Sequence, residues 1–145
     1  MSSAGEARYA GDITPVQAWE LLRDNPGAVL VDVRTEAEWR FVGLPDTDSL
    51  GRPLRLIEWV DVHGAPNPEF VPQLKQALVD RDADDAPVIF LCRSGQRSIG
   101  AAIAATEAGF APSYNVLEGF EGPLDGEGHR GSRGWRALGL PWRQS

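Results

Sequence analysis

The chain predicts an α/β domain with a mostly parallel central sheet and helices on both faces. Three observations carry this. Short apolar runs at Ala28–Val33 and Val88–Leu91 have the length and β-branched content of buried strands. Segments with helical periodicity alternate with them, as successive βα units require. The connections are marked by Pro, Gly, Asn and Asp, as in Asn25-Pro26-Gly27 and His63-Gly64-Ala65-Pro66.

Taken in order, residues 1–12 are small and polar and read as a flexible N-terminal arm, with the domain running from 13 to 145. Thr14-Pro15-Val16-Gln17 opens a helix, with threonine as cap, proline in the first turn and glutamine three after the cap. Val16, Trp19 and Leu22 give its apolar face. Ala28–Val33 follows as a strand, and Thr35-Glu36-Ala37-Glu38 forms a second capping box opening a short helix through Trp39. Leu54 to Val62 reads as a strand containing Trp59. Asn67-Pro68 starts a helix with Phe70, Leu74, Ala77 and Leu78 on one face, and Asp80–Asp85 is a solvated acidic loop. Strand 88–91, a polar loop, helix 98–108 closed by Gly109, and a last strand Tyr114–Leu117 complete the core.

The 145 residues suit one domain with one core, and 42% hydrophobic with 24% charged residues is ordinary for a globular protein. A net charge of −7 argues against nucleic acid or an anionic membrane surface as partner. One cysteine leaves no internal disulfide, and with two histidines, His63 and His129, no cysteine-rich zinc site is available. A lone free thiol fits the cytoplasm. The N-terminus has neither the basic region nor the apolar stretch of a secretory signal, and no run reaches transmembrane length.

That cysteine, Cys92, ends the run Val88-Ile89-Phe90-Leu91 and begins Arg93-Ser94-Gly95-Gln96-Arg97-Ser98, before the alanine-rich helix. A thiol at this junction faces backbone N–H groups and the positive end of a helix dipole, both of which stabilise an anion. A buried structural cysteine needs no glycine-bearing loop and no flanking arginines; an anion cradle needs both. Ser98 is open to two roles, hydrogen-bond donor to the sulfur or helix cap. Asp32, at the C-terminal end of its strand, lies at the edge where sites gather in such sheets, and is open to a support role or a turn-capping one.

Cys92-Arg93-Ser94-Gly95-Gln96-Arg97 resembles the active-site loop of rhodanese-like sulfurtransferases. Val31-Asp32-Val33-Arg34 with Glu38 and Trp39 is similar to the family's early strand and following helix. Trp135, Gly139 and Pro141 are similar to its closing segment. The resemblance spans about Ile13 to Pro141 and implies a single rhodanese-like domain. Two stretches depart from the family. Val42-Gly43-Leu44-Pro45-Asp46-Thr47 keeps a proline but lacks a histidine, and residues 120–134 form a glycine-rich insertion before Trp135.

The resemblance implies that Cys92 is the nucleophile. It would take a sulfane sulfur from thiosulfate or a persulfide donor and pass it, as a cysteine persulfide, to a thiol or cyanide acceptor, with no cofactor or metal. Residues 93–98 would bind the small anionic donor: the amides hold the sulfur and Arg93 and Arg97 supply charge, one of them alternatively pairing with Asp32. Arg34 makes a structural ion pair in this scheme, supporting the loop with Asp32. Two alternatives stand beside it: a carrier that hands sulfur to a protein acceptor without free turnover, and a cysteine-dependent phosphatase or arsenate reductase on the same fold. Phosphatase loops are one residue longer, which favours sulfur. The insertion leaves the site edge, so it is either an inert surface loop or a flap that narrows access and selects the acceptor, with Phe120 or His129 near the sulfur.

Overall fold

The computed structural model describes residues 8–52, 54–79 and 86–144. Residues 1–7 of the expected arm and the whole acidic loop at 80–85 lie outside them. The elements are β1 (Gly11–Ile13), α1 (Pro15–Asp24), β2 (Val29–Asp32), α2 (Glu36–Phe41), β3 (Leu44–Pro45), β4 (Leu54–Leu56), α3 (Phe70–Ala77), β5 (Val88–Leu91), α4 (Arg97–Glu107), β6 (Ser113–Val116) and β7 (Trp142–Arg143).

Five strands form one sheet in the order β1-β6-β5-β2-β4, every neighbouring pair parallel. The α/β class with a mostly parallel sheet is therefore as expected. β2 and β5 are two of the three interior strands and bury all four residues each, which is why they read as largely apolar runs. Their register pairs Val31 with Phe90 and Leu30 with Ile89, and side chains alternate faces. Val29, Val31, Val88 and Phe90 pack with Phe70 and Leu74 of α3 and Ala101, Ala102 and Ala105 of α4. Leu30, Ile89 and Leu91 face Ala18 and Leu22 of α1 together with Phe120 and Trp135.

Both capping boxes form. Thr14 accepts from the Gln17 N–H while Gln17 accepts from the Thr14 N–H, and Thr35 and Glu38 do the same for α2. Four details differ from expectation. Gly11 and Asp12 belong to an edge strand on β6 rather than to a loose arm; three parallel backbone pairings hold them, which polarity alone does not disclose. α1 buries Pro15, Ala18 and Leu22, while Val16 is 44% exposed and Trp19 half-buried. The strand expected over 54–62 stops at Leu56, and the chain then turns, with Val60 bridging Pro66. The last strand starts at Ser113 rather than Tyr114.

The departing loop at 42–47 has a partner. Leu44 and Pro45 pair antiparallel with Trp142 and Arg143, so the end of the chain folds back onto it. Trp135 anchors this closure. It is fully buried, its ring lies edge-to-face with Trp19 at 5.9 Å, and its Nε1 donates to the Pro141 carbonyl at 2.7 Å.

Trp135→Ala removes a filled core position and a donor together. It is expected to cost about 3–5 kcal/mol, read as a lower urea midpoint. A loss below about 1 kcal/mol would show that the C-terminal segment closes the domain without it.

Candidate active site

Leu91 ends β5 at the carboxyl edge of the sheet, and the next residue is Cys92, 1% exposed. The loop of residues 93–96 turns the chain back into α4. Gly95 makes the turn with φ +94°, a conformation that side-chain-bearing residues rarely adopt, and a Cβ there would lie 2.9 Å from the Glu118 nitrogen. The turn aims two backbone donors at the sulfur: the Gly95 N–H at 3.2 Å and the Ser98 N–H at 3.4 Å. The Ser98 hydroxyl lies 3.1 Å from Sγ. Ser98 does not cap the helix; Gln96, exposed, occupies that position and makes no side-chain cap bond.

The Ser98 hydroxyl has a second neighbour that sequence reasoning missed, Asn115 Oδ1. The Asn115 amide is fixed in orientation, because Nδ2 donates to Asp12 Oδ1 at 2.9 Å and to the Gly95 carbonyl at 3.1 Å. Asp12 also accepts from the Tyr9 hydroxyl at 2.8 Å. A hydroxyl has one proton, so Asn115 competes with the sulfur for it. Asparagine in mid-strand, flanked by apolar residues, is the only sequence signal of this network.

Asp32 and Arg34 are both fully buried and pair with each other. Arg34 Nη2 donates to Asp32 Oδ2 at 2.6 Å and to the Gly43 carbonyl at 2.7 Å, while the Phe120 ring lies 4.3 Å under the guanidinium. Arg34 thus makes the ion pair expected of it, tying the end of β2 to the 42–47 loop. The alternative in which Asp32 pairs with Arg93 or Arg97 does not occur.

Arg97 binds Glu38 instead, with Nη1–Oε1 and Nη2–Oε2 both 2.9 Å. Glu38 therefore serves α2 as capping-box acceptor and α4 as counter-ion, a double role its capping position did not reveal. Arg93 lies 3.3 Å from Glu121 Oε2. Both arginines expected to supply charge to an anionic donor are already neutralised in part. Ser94 lines a cleft on the outer side of the loop.

Phe120 is fully buried under Arg34, and His129 is exposed, its backbone closing a turn on Asp125. The start of the insertion braces the loop from behind. The Phe120 N–H donates to the Cys92 carbonyl at 2.8 Å and the Glu121 N–H to the Arg93 carbonyl at 2.9 Å. Gly119, at φ +57°, permits this approach: a Cβ there would sit 2.4 Å from the Cys92 carbonyl oxygen. Among the described residues no group of three His, Cys, Asp or Glu could hold a metal ion, and no helix is long and apolar enough to cross a membrane.

Two outcomes follow. Burial pushes the Glu38 carboxyl up, but the Arg97 bonds and the Thr35 N–H outweigh it, leaving the group below its ordinary value. A depressed folded value stabilises fully above the ordinary glutamate range, and that stability is lost as pH falls through the folded value. Glu38→Gln should flatten the acid limb of the stability curve, measured by urea unfolding between about pH 7 and about pH 3; an unchanged acid limb would place the dependence elsewhere. Gly95→Ala should cost about 1–3 kcal/mol and turn its N–H off the sulfur, changing the alkylation rate of Cys92. A variant with unaltered stability and alkylation would show that the loop tolerates another backbone path.

The chain matches the family model described as rhodanese-like domain over residues 14–123. It is similar to the crystal structure of Rv0390 from M. tuberculosis, with 66% identity, a TM-score of 0.86, and coverage of 94% of this chain and 99% of that one. It is also similar to the polysulfide-sulfur transferase homodimer from Wolinella succinogenes, at 25% identity and a TM-score of 0.61, covering 98% of this chain and 83% of that one. An uncharacterized protein of Rickettsia rickettsii, the RP600 homolog, is 35% identical over 132 residues, 91% of this chain and 96% of that protein. With the family pattern spanning β2, the Cys92 loop and β6, the chain belongs to the rhodanese-like domain family, a family of sulfur transfer.

Proposed function

We propose that the protein is a sulfurtransferase that moves a sulfane sulfur from thiosulfate or a persulfide donor to a thiol or cyanide acceptor through a persulfide on Cys92. The observation that carries this is the pair of backbone N–H donors, from Gly95 and Ser98, converging on Cys92 Sγ at the carboxyl end of β5.

The Cys92 thiolate attacks the outer sulfur of thiosulfate. The new Sγ–S bond forms as the S–S bond of the donor breaks, and sulfite leaves with the electron pair. The acceptor then attacks the outer sulfur of the persulfide, and Cys92 recovers its thiolate. Fixed amides hold negative charge on sulfur in both half-reactions without reorganising. The Ser98 hydroxyl, which also has Asn115 Oδ1 as acceptor, can turn its proton to the sulfur, and the Glu38–Arg97 pair holds the start of α4. The scheme uses no cofactor or metal. The likeness to the Wolinella protein extends the donor class to polysulfide. A reducing compartment such as the cytoplasm would keep the single thiol free.

The 1% exposure of Cys92 favours a second reading. In that reading the protein is a carrier, and a protein acceptor reaches the sulfur once it displaces part of the loop. Four residues between Cys92 and Arg97 make a ring suited to one sulfur atom rather than to phosphate.

Incubation with thiosulfate should add the mass of one sulfur atom to the intact protein. Cys92→Ser should abolish both the adduct and turnover, since a serine cannot hold a persulfide. Cyanide turnover after loading separates enzyme from carrier. Absence of any adduct, or unchanged turnover in the serine variant, would overturn sulfur transfer through Cys92.

A further inference from the structure

A cleft of about 530 Å³ opens beside the Cys92 loop. That volume suits an organic molecule rather than cyanide. Arg93, Arg97 and Arg130 line it, with Asp61 and the apolar side chains of Val60 and Val62. Arg130 comes from the insertion and Asp61 from the turn after β4, so neither belongs to the cysteine loop.

The charges of these groups are unequally spent. Glu38 takes up Arg97 and Glu121 lies against Arg93. Arg130 makes no ion pair among the described residues. Its Nη1 donates to the Gly122 carbonyl at 3.0 Å, and its Nε is buried without a hydrogen-bond partner. A guanidinium has five N–H donors, so most of this one is uncommitted. Asp61 is the matching anion. Its Oδ1 accepts the His63 and Ala65 backbone N–H groups, which hold its carboxyl below the ordinary range, while Oδ2 has no partner among the described residues.

We propose that this cleft is a subsite for a zwitterionic thiol, Arg130 taking the carboxylate and Asp61 the ammonium of an α-amino-acid acceptor. The inference rests on the sulfur-transfer reading for its chemistry. The acceptor's thiolate attacks the outer sulfur of the Cys92 persulfide; the acceptor S–S bond forms, the Sγ–S bond breaks, and its electron pair returns to Cys92. The insertion thereby acts in acceptor choice through one arginine rather than as a flap.

The test loads Cys92 with thiosulfate, removes the excess, and follows loss of the added sulfur by intact mass. Four thiols are compared: L-cysteine, 3-mercaptopropionate, cysteamine and 2-mercaptoethanol. They carry both charges, the carboxylate alone, the ammonium alone and neither. The ratio of wild-type to variant rate for each thiol cancels that thiol's own reactivity. Arg130→Gln keeps a donor for the Gly122 carbonyl and should slow L-cysteine and 3-mercaptopropionate by roughly fivefold, leaving the other two unchanged. Arg130→Lys should restore part of the loss. Asp61→Asn, which keeps the turn acceptor, should slow L-cysteine and cysteamine alone. Equal effects on all four thiols, or none on any, would overturn the subsite.

A binding measurement needs no sulfur loading. S-methyl-L-cysteine should shift the Val60 and Val62 methyl resonances of the unmodified protein, and the Arg130→Gln variant should weaken that response. If Cys92 takes no sulfur but this binding is present, the transfer reading fails and the subsite stands; if sulfur loads and no binding occurs, the subsite fails alone.

Discussion

The site depends on how the backbone carbonyls of Cys92 and Arg93 are used. A strand that runs straight into a tight loop leaves its last carbonyls without a ladder partner, and buried carbonyls need one. Here the N–H groups of Phe120, Glu121 and Gly122 supply it. The same segment is held from its other side, where the Trp135 N–H donates to the Gly119 carbonyl and the Arg136 N–H to the Phe120 carbonyl. Residues 119–122 are thus a layer between the cysteine loop and the closing segment. With the loop's carbonyls drawn backwards, its N–H groups are left to face the sulfur.

Two ion pairs fasten the same edge at different depths. Asp32–Arg34 is wholly buried, and removing one partner of such a pair leaves an uncompensated charge in a low-dielectric interior. It is a fixed part of the scaffold. Glu38–Arg97 is partly exposed, at 19% and 28% of the side chains. It joins α2 to the first residue of α4, whose amino end also supplies the Ser98 N–H to the sulfur. Water screens this pair and acid can break it, so it is the pH-sensitive half of the arrangement.

The sheet, the helices and the position of Cys92 were legible because each rests on local chemistry: interior strands are apolar on both faces, capping boxes announce helix starts, and a glycine two residues before α4 permits the turn. What was not legible is pairing across sequence distance. Asp12 and Asn115 meet across the β1–β6 register, and Glu38 reaches Arg97 from another helix. Neither charge nor spacing in one strand names a partner on the next. The counter-ions of the loop arginines are Glu38 and Glu121 rather than the Asp32 that sequence offers as an alternative, and they went unread because both lie in segments with other apparent tasks. β1 was missed for a related reason: Gly11-Asp12 has little strand propensity, and edge pairing overrides it.

Under the proposed subsite, the insertion adds acceptor selectivity without altering the cysteine loop. A glycine-rich segment forms no core of its own, yet this one is anchored at both ends. Phe120 fills the space beneath Arg34, and Gly131 donates its N–H to the Glu121 carbonyl. Anchoring removes the freedom a hinged flap would need and fixes where Arg130 emerges. A fixed arginine differs from one on a mobile loop, since less side-chain and backbone entropy is lost when a ligand binds it. In the proposed reaction Cys92 and the amides aimed at it touch only sulfur, so they would handle any sulfane donor. Discrimination among acceptors must come from groups that touch the rest of the molecule, and in this cleft the uncommitted ones are Arg130 and Asp61.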